Sequence, residues 1–175
     1  MASDQSPRSD TGIELRLARP DEHEAVGRLT REVYVGDGYL APSAAYVREL
    51  GDAAGRAAGG ELWVAVADGR LVGTVTFCPA GSPYREVARD GEGEFRMLAV
   101  APEARGRGVG QSLVALMLRR ALDLGYHRVR MSTMDRMAAA HRTYERLGFR
   151  RSPEDDWSPV PGVSLLGYVA DLTWE

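Results

Sequence analysis

The most constraining stretch of this chain is residues 97–110, Met97-Leu98-Ala99-Val100-Ala101-Pro102-Glu103-Ala104-Arg105-Gly106-Arg107-Gly108-Val109-Gly110. An apolar strand runs into a loop with three alternating glycines, and a helix starts at or just inside that loop. Glycines there let the backbone come close to a bulky anion, and the unpaired amides of a first helical turn point at it. The physical expectation is a pyrophosphate site. Two phosphate-binding patterns fail. The dinucleotide fingerprint G-x-G-x-x-G, begun at Gly106 and Gly108, needs a third glycine where Gln111 stands. It also belongs in an early strand–helix–strand unit, whereas about ninety residues of other structure come first. A Walker A loop needs a lysine, and all 22 basic residues of the chain are arginine.

The missing lysine excludes further chemistry. No Schiff-base lysine can hold pyridoxal phosphate, no lysine serves as nucleophile, and no kinase lysine clamps a phosphate. Carboxylates, tyrosines, histidines, one thiol and backbone groups remain. The single Cys78 excludes an internal disulfide, and no apolar run reaches the ~20 residues that cross a bilayer. Met1 to Gly12 is polar, lacks the apolar core of a signal peptide, and reads as a flexible tail. A soluble cytoplasmic setting without a membrane partner is the expectation. A net charge of -3 with dispersed arginines argues against nucleic acid.

The 175 residues suit one domain, expected over 13–175. Ile13, Leu15 and Leu17 alternate with Glu14 and Arg16 as a half-buried strand. Pro20, with Asp21 and Glu22 behind it, opens a helix expected to reach Tyr34. Ala41 to Leu50 reads as a second helix that fades into the Gly/Ala stretch around Gly55 to Gly60. Leu62–Ala67 and Leu71–Phe77 flank Asp68-Gly69, a strong hairpin signal. Pro79 to Gly93 reads as a long functional loop and Glu94–Val100 as a strand. A helix from Val109 closes at Gly125, a strand covers Val129–Thr133, a helix covers Met137–Leu147, and a last strand covers Val163–Leu172. Strands interleave with helices, the pattern of a mixed α/β sheet with helices on both faces.

The remaining glycine-loop pattern is Arg/Gln-x-x-Gly-x-Gly/Ala after a strand ending Leu-Ala-Val and a proline. Arg105, Gly108 and Gly110 meet it, and the segment resembles the acyl-CoA loop of the GNAT superfamily of N-acetyltransferases. About 35 residues on, Ala140-His141-Arg142-Thr143-Tyr144-Glu145-Arg146-Leu147-Gly148-Phe149 resembles that superfamily's Tyr-Glu-Lys/Arg-Leu-Gly-Phe box. The resemblance spans roughly Ile13 to Trp174. It implies a GNAT fold, a mixed sheet of six or seven strands whose fourth and fifth run parallel but splay. Acetyl-CoA is the implied cosubstrate. Its pantetheine arm would borrow main-chain hydrogen bonds from Leu98, Ala99 and Val100 in the manner of an added strand. Its pyrophosphate would sit on the amides of Arg105, Gly106, Arg107, Gly108, Val109 and Gly110. Tyr144 matches the family's acid position, and a phenol with a reference pKa of about 10 can protonate a thiolate whose conjugate acid lies near 8.5. Glu94 stands where several members keep a base, with Glu92 as its competitor, and the Leu98 amide would meet the oxyanion. Met137 replaces an asparagine that usually holds the pantetheine, leaving Ser132, Thr133 or Asp135 to take over. Ser132 also replaces a glutamate typical of ribosomal-protein acetyltransferases, which weakens that reading.

His23, His127 and His141 show no metal-ligand spacing, so no metal is expected. His141 and Cys78 read as packing residues. Tyr34, Tyr39, Tyr84 and Trp157 are candidate walls of an acceptor pocket, and Glu92, Asp155 and Asp156 candidate attractors of a cation. The resulting expectation is an enzyme, monomeric or homodimeric, that moves acetyl from acetyl-CoA to a primary amine of a small molecule by direct attack. A protein lysine or N-terminal acetyltransferase acting on peptide amines, and an acyl-CoA sensor without turnover, are the alternatives.

Overall fold

The computed structural model describes residues 12–41 and 45–173. Chain order is β1 (Ile13–Leu17), α1 (His23–Gly36), α2 (Ala45–Gly51), α3 (Ala53–Gly59), β2 (Glu61–Ala67), β3 (Arg70–Cys78), β4 (Glu92–Val100), α4 (Val109–Asp123), β5 (Arg128–Met134), α5 (Ala138–Arg146), β6 (Arg150–Arg151) and β7 (Leu165–Asp171). Short 3-10 turns lie at Pro20–Glu22, Pro102–Ala104 and Pro153–Asp155. The strands form a mixed seven-stranded sheet in the order β1-β2-β3-β4-β5-β7-β6. The tail expected over 1–12 lies outside the described residues at 1–11, and the helix expected over 41–50 does so at 42–44. Two compact units are present, Met1–Thr76 with Met97–Leu113 and Phe77–Arg96 with Val114–Glu175. No helix among the described residues is long and apolar enough to cross a membrane.

In the first unit β1 pairs antiparallel with β2, from Ile13↔Ala67 to Leu17↔Trp63. Asp68 (φ 52) and Gly69 (φ 74) both take left-handed backbone at the next turn, as the tightest hairpin connection demands. Val26, Ala53, Leu62 and Val64 are buried together. The helix expected from Pro20 begins instead as a 3-10 turn and becomes α-helical at His23. Glu22 fixes that entry. Its carboxylate accepts from the Arg19 amide (2.8 Å) and from both terminal nitrogens of Arg16 (2.7 and 2.9 Å). The Arg16 hydrogen bonds lower the Glu22 pKa to about 2. A carboxyl depressed on folding stabilises the fold above its unfolded value and loses that contribution as pH falls through the folded one. Glu22→Gln should therefore lower Tm by about 2–5 °C at neutral pH, with the gap to wild type closing between about pH 4.5 and 2. Thermal melts across that range measure it, and a constant gap would remove Glu22 from the account.

The Gly/Ala stretch after α2 does not fade but folds as α3. Asp52 caps it by accepting from the Gly55 amide (3.0 Å). Arg56, fully buried, donates to the carbonyls of Glu49 (3.1 Å) and Leu50 (2.6 Å), satisfying the exposed end of α2. Two glycines in α3 cost helix propensity, and tertiary bonds of this kind outweigh it.

In the second unit β5 pairs antiparallel with β7 along its whole length, from Arg128↔Asp171 to Met134↔Leu165. β6, not foreseen from sequence, adds Arg150↔Val169 and Arg151↔Tyr168. The parallel ladder between β4 and β5 holds only Glu92↔Arg128 and Gly93↔Val129. The two strands thus pair at their start and part afterwards, the splay that the resemblance implied.

Candidate functional site

The glycine loop lies in the first unit. β4 ends at Val100, the Ala101 amide donates to the Val72 carbonyl (2.8 Å), and the chain turns through Pro102–Ala104. Ala104 and Val109 are both 1% exposed and pin the loop at either end. Between them Gly106 and Gly108 adopt φ of 80 and 79, a region other residues reach only at a cost. A Cβ at either would meet nothing within 4 Å, so space on the loop's outer side is open. α4 starts at Val109, and its first-turn amides have no acceptor within the helix. The loop's chemistry fits an anion such as a pyrophosphate. Neither arginine of the loop is a free cation. Arg105 pairs with Asp37 at 2.6 Å, and Arg107 lies 3.7 Å from Asp68. Both pairs are half-exposed on the arginine side, so the backbone amides lead in meeting the anion and the guanidinium groups stand beside them. Upstream, Leu98 and Val100 are half-buried on either side of buried Ala99. Met97 carries a φ of 58 within the strand, a strain of about 1–3 kcal/mol held by its surroundings.

Tyr144 lies in the second unit, 3% exposed, with its ring about 6 Å from Phe95, Phe149 and Tyr168. Burial pushes its hydroxyl well above the usual phenol pKa, against a hydrogen bond with the Thr133 side chain that pulls the other way. The phenol is thus protonated across neutral pH. Thr133 also donates to the Met137 sulfur at 3.9 Å, so where the family keeps an asparagine a thioether serves as a weak acceptor. Ser132 accepts from the Trp157 indole nitrogen (3.1 Å). His141 Nε2 bonds the Met134 carbonyl (2.9 Å) beside Tyr168, a packing arrangement.

The acidic residues are placed otherwise than expected. Glu92, read as a rival base and as an attractor of cations, is 3% exposed and bound by Arg130 Nε (2.7 Å) and Nη2 (3.1 Å). Burial pushes its carboxyl up, and the bonds from Arg130 and the Arg89 amide with the Arg130 and Arg128 charges outweigh that, leaving it below the ordinary range. Asp155 pairs with Arg130 and with Arg89 (3.0 Å), and Asp156 with Arg151 (2.7 Å). All three are neutralised in place. Glu94 is 1% exposed and accepts backbone hydrogen bonds from Glu86, Val87 and Ala88, so it is neither an open base nor a solvent-facing edge residue. Of the aromatic candidates, Tyr34 is buried, edge-on to half-buried Tyr39 at 6.4 Å; Tyr84 is half-buried and Trp157 is 37% exposed. Tyr34 therefore backs Tyr39 rather than walling a pocket itself. Cys78 is buried, and burial with the nearby Glu94 charge pushes its thiol up to about 12, which removes it as a nucleophile. The partners of Arg105, Tyr144 and Glu94 were not read from sequence. They lie in remote segments or in a loop backbone that carries no side-chain pattern.

The model of the Acetyltransferase (GNAT) family matches residues 25–149. N-acetylaspartate synthetase of Rattus norvegicus is 35% identical over 104 residues, covering 59% of this chain and 32% of that protein. The chain matches about a third of the length of that relative and its human counterpart. Among solved structures, a GNAT-family acetyltransferase of Staphylococcus aureus Mu50 superposes with a TM-score of 0.73 at 16% identity, covering 92% of this chain and 99% of that one. An acetyltransferase of Salmonella typhimurium, solved with its cofactor acetyl-CoA, gives 0.67 at 18% identity, covering 94% and 96%.

Proposed function

The chain belongs to the acetyltransferase (GNAT) family, and on that premise we propose that it transfers acetyl from acetyl-CoA to the primary amine of a small molecule, by direct attack in a ternary complex. The observation that carries this reading is Tyr144, a buried phenol kept protonated at the family's acid position. The first-turn amides around Gly106–Gly110 hold the pyrophosphate, and the Leu98–Val100 backbone holds the pantetheine. The amine nitrogen forms a bond to the thioester carbon while the Leu98 amide steadies the oxyanion. The C–S bond then breaks, and the departing sulfur takes its proton from the Tyr144 hydroxyl. With Glu92 and Glu94 both committed to other donors, the amine reacts as its unprotonated fraction, and the proton it sheds after attack leaves to solvent. The Tyr144 phenolate takes one back from solvent, so that the amide and the free CoA thiol are the only products. The acidic limb of the rate profile should then follow the acceptor's own pKa.

The neutralised acids bear on acceptor class. A polycation needs unpaired carboxylates to bind, and Glu92, Asp155 and Asp156 each face an arginine. That arrangement supports an acceptor with a single ammonium group, such as an amino acid; the relative named above is a synthetase of N-acetylaspartate. Free CoA thiol should rise with amino acids and exceed the rise with polyamines or aminoglycosides by about tenfold or more at equal concentration. A preference for polyamines would sink the acceptor class. No thiol above the no-amine blank with any amine, alongside a thermal shift with acetyl-CoA, would replace transfer by binding alone.

A further inference from the structure

Residues 79–91 join β3 to β4 with no helix or strand of their own, and a loop of that length is ordinarily either mobile or held for a purpose. Here alternate residues of β4 hold it. Glu92 Oε2 accepts from the Arg89 amide (3.1 Å). Glu94 Oε1 accepts from the amides of Val87 (2.7 Å), Ala88 (2.8 Å) and Glu86 (3.2 Å), and its Oε2 from Glu86 (2.9 Å). Arg96 donates to the Tyr84 carbonyl (3.0 Å) and pairs with the Glu86 carboxylate. Residues two apart on a strand share a face, so one face of β4 presents a row of charged groups to the loop backbone. The loop answers with Arg85, which donates to the carbonyls of Cys78 (3.3 Å), Arg89 (2.7 Å) and Glu92 and lies 5.8 Å from the Tyr126 ring centroid.

We propose that Glu94 is the positioning residue of this loop: a fixed anion on which three consecutive amides converge, and which sets acceptor affinity through the loop's shape rather than by moving a proton. Three N–H groups turned onto one anion form a concavity of the kind that otherwise binds free anions, here filled by the chain's own carboxylate. At 1% exposure that carboxylate must have such donors, and its removal takes from the amides of Val87 and Ala88 the acceptor they meet here. Each side enforces the other. The loop carries Tyr84, one of the aromatic candidates for the acceptor pocket. Disordering the loop should weaken acceptor binding more than it slows the chemistry. The kinetic half of the proposal rests on the acetyl-transfer reading; the structural half does not.

The experiment pairs amide hydrogen exchange over residues 84–90 with steady-state kinetics for wild type, Glu94→Gln and Glu94→Ala. In Glu94→Ala, exchange at residues 86–88 should accelerate by about tenfold or more, because the amides lose their acceptor. Acceptor KM should rise by about tenfold or more while kcat falls less than about threefold. Glu94→Gln keeps one carbonyl oxygen for Val87 and Ala88, so it should fall between the two and leave the acidic limb where wild type has it. Should the alanine variant not fold, Glu94→Asp, one methylene too short to reach all three amides, takes its place. Unchanged exchange in the truncated variant overturns the proposal whatever the kinetics. So does a Glu94→Gln protein with intact protection, kcat lowered by about 100-fold and a displaced acidic limb, which would make Glu94 the base. Absence of thiol release from the wild type would count against the transferase reading and leave the exchange result to decide the loop.

Discussion

Tyr144→Phe is expected to lower turnover by about 10- to 1000-fold while changing acetyl-CoA affinity by less than about threefold. A CoA thiolate departs more readily when it is protonated as the C–S bond opens. A phenol pushed upward by burial holds its proton throughout any neutral assay. The substitution removes the hydroxyl and its hydrogen bond with Thr133. The ring keeps its contacts with Phe95, Phe149 and Tyr168, so the fold should survive. The phenol also predicts what the wild type should not show. Because ionisation of Tyr144 is deferred above its ordinary pKa of about 10, no alkaline loss of rate below that value should trace to it. Stability follows the same sign: a tyrosine whose pKa is raised on folding contributes fully below the unfolded value, and the contribution declines as pH climbs through the window above it. Single-turnover measurements with saturating acetyl-CoA separate the chemical step from binding. Unchanged turnover would assign the acid elsewhere, with Thr133, the hydrogen-bond partner of Tyr144, the next group to test.

Gly106→Ala with Gly108→Ala is expected to weaken acetyl-CoA binding by about 30- to 1000-fold, with kcat at saturation falling far less. Both residues sit near φ of 80, where a Cβ costs about 1–2 kcal/mol per residue. Two such costs favour a relaxed loop by about 2–4 kcal/mol, and a relaxed loop no longer gathers its amides on one point. Strain and steric blockage are separable here. A Cβ at either position meets no protein atom within 4 Å, so apoprotein stability should drop less than ligand affinity. Isothermal titration with CoA, beside melts of the free protein, measures both. Affinity within about threefold of wild type would mean that the cradle is not the anion site.

What was legible in the sequence was local. Asp68-Gly69 announced its turn because two consecutive left-handed residues have few chemical solutions, and the α4 periodicity announced a helix because it reports one buried face. The glycine loop and Tyr144 were picked out by the family resemblance, on the motifs around Gly106–Gly110 and Tyr144–Phe149. α3 did not, since Gly55 and Gly59 lower propensity and the compensation comes from Arg56 reaching residues of α2. Nor did the fate of the acids. Glu92 meets Arg130, and Arg130 meets Asp155, across segments remote in the chain. With 22 arginines and 25 acidic residues dispersed along it, no pattern says which will meet. Glu94 was read as a candidate base by its place in the family pattern and not as an anchor, because its partners are backbone amides, which every residue but proline supplies.

The brevity of the parallel ladder carries a cost in handling. Beyond Gly93, β4 keeps no further ladder pair with β5, and a strand row left without a ladder is what a foreign chain needs to attach. Any extended molecule that occupies that row shields it. On the acetyl-transfer reading the pantetheine arm is that molecule, and stocks stripped of CoA during purification should then clump sooner on storage than stocks kept loaded.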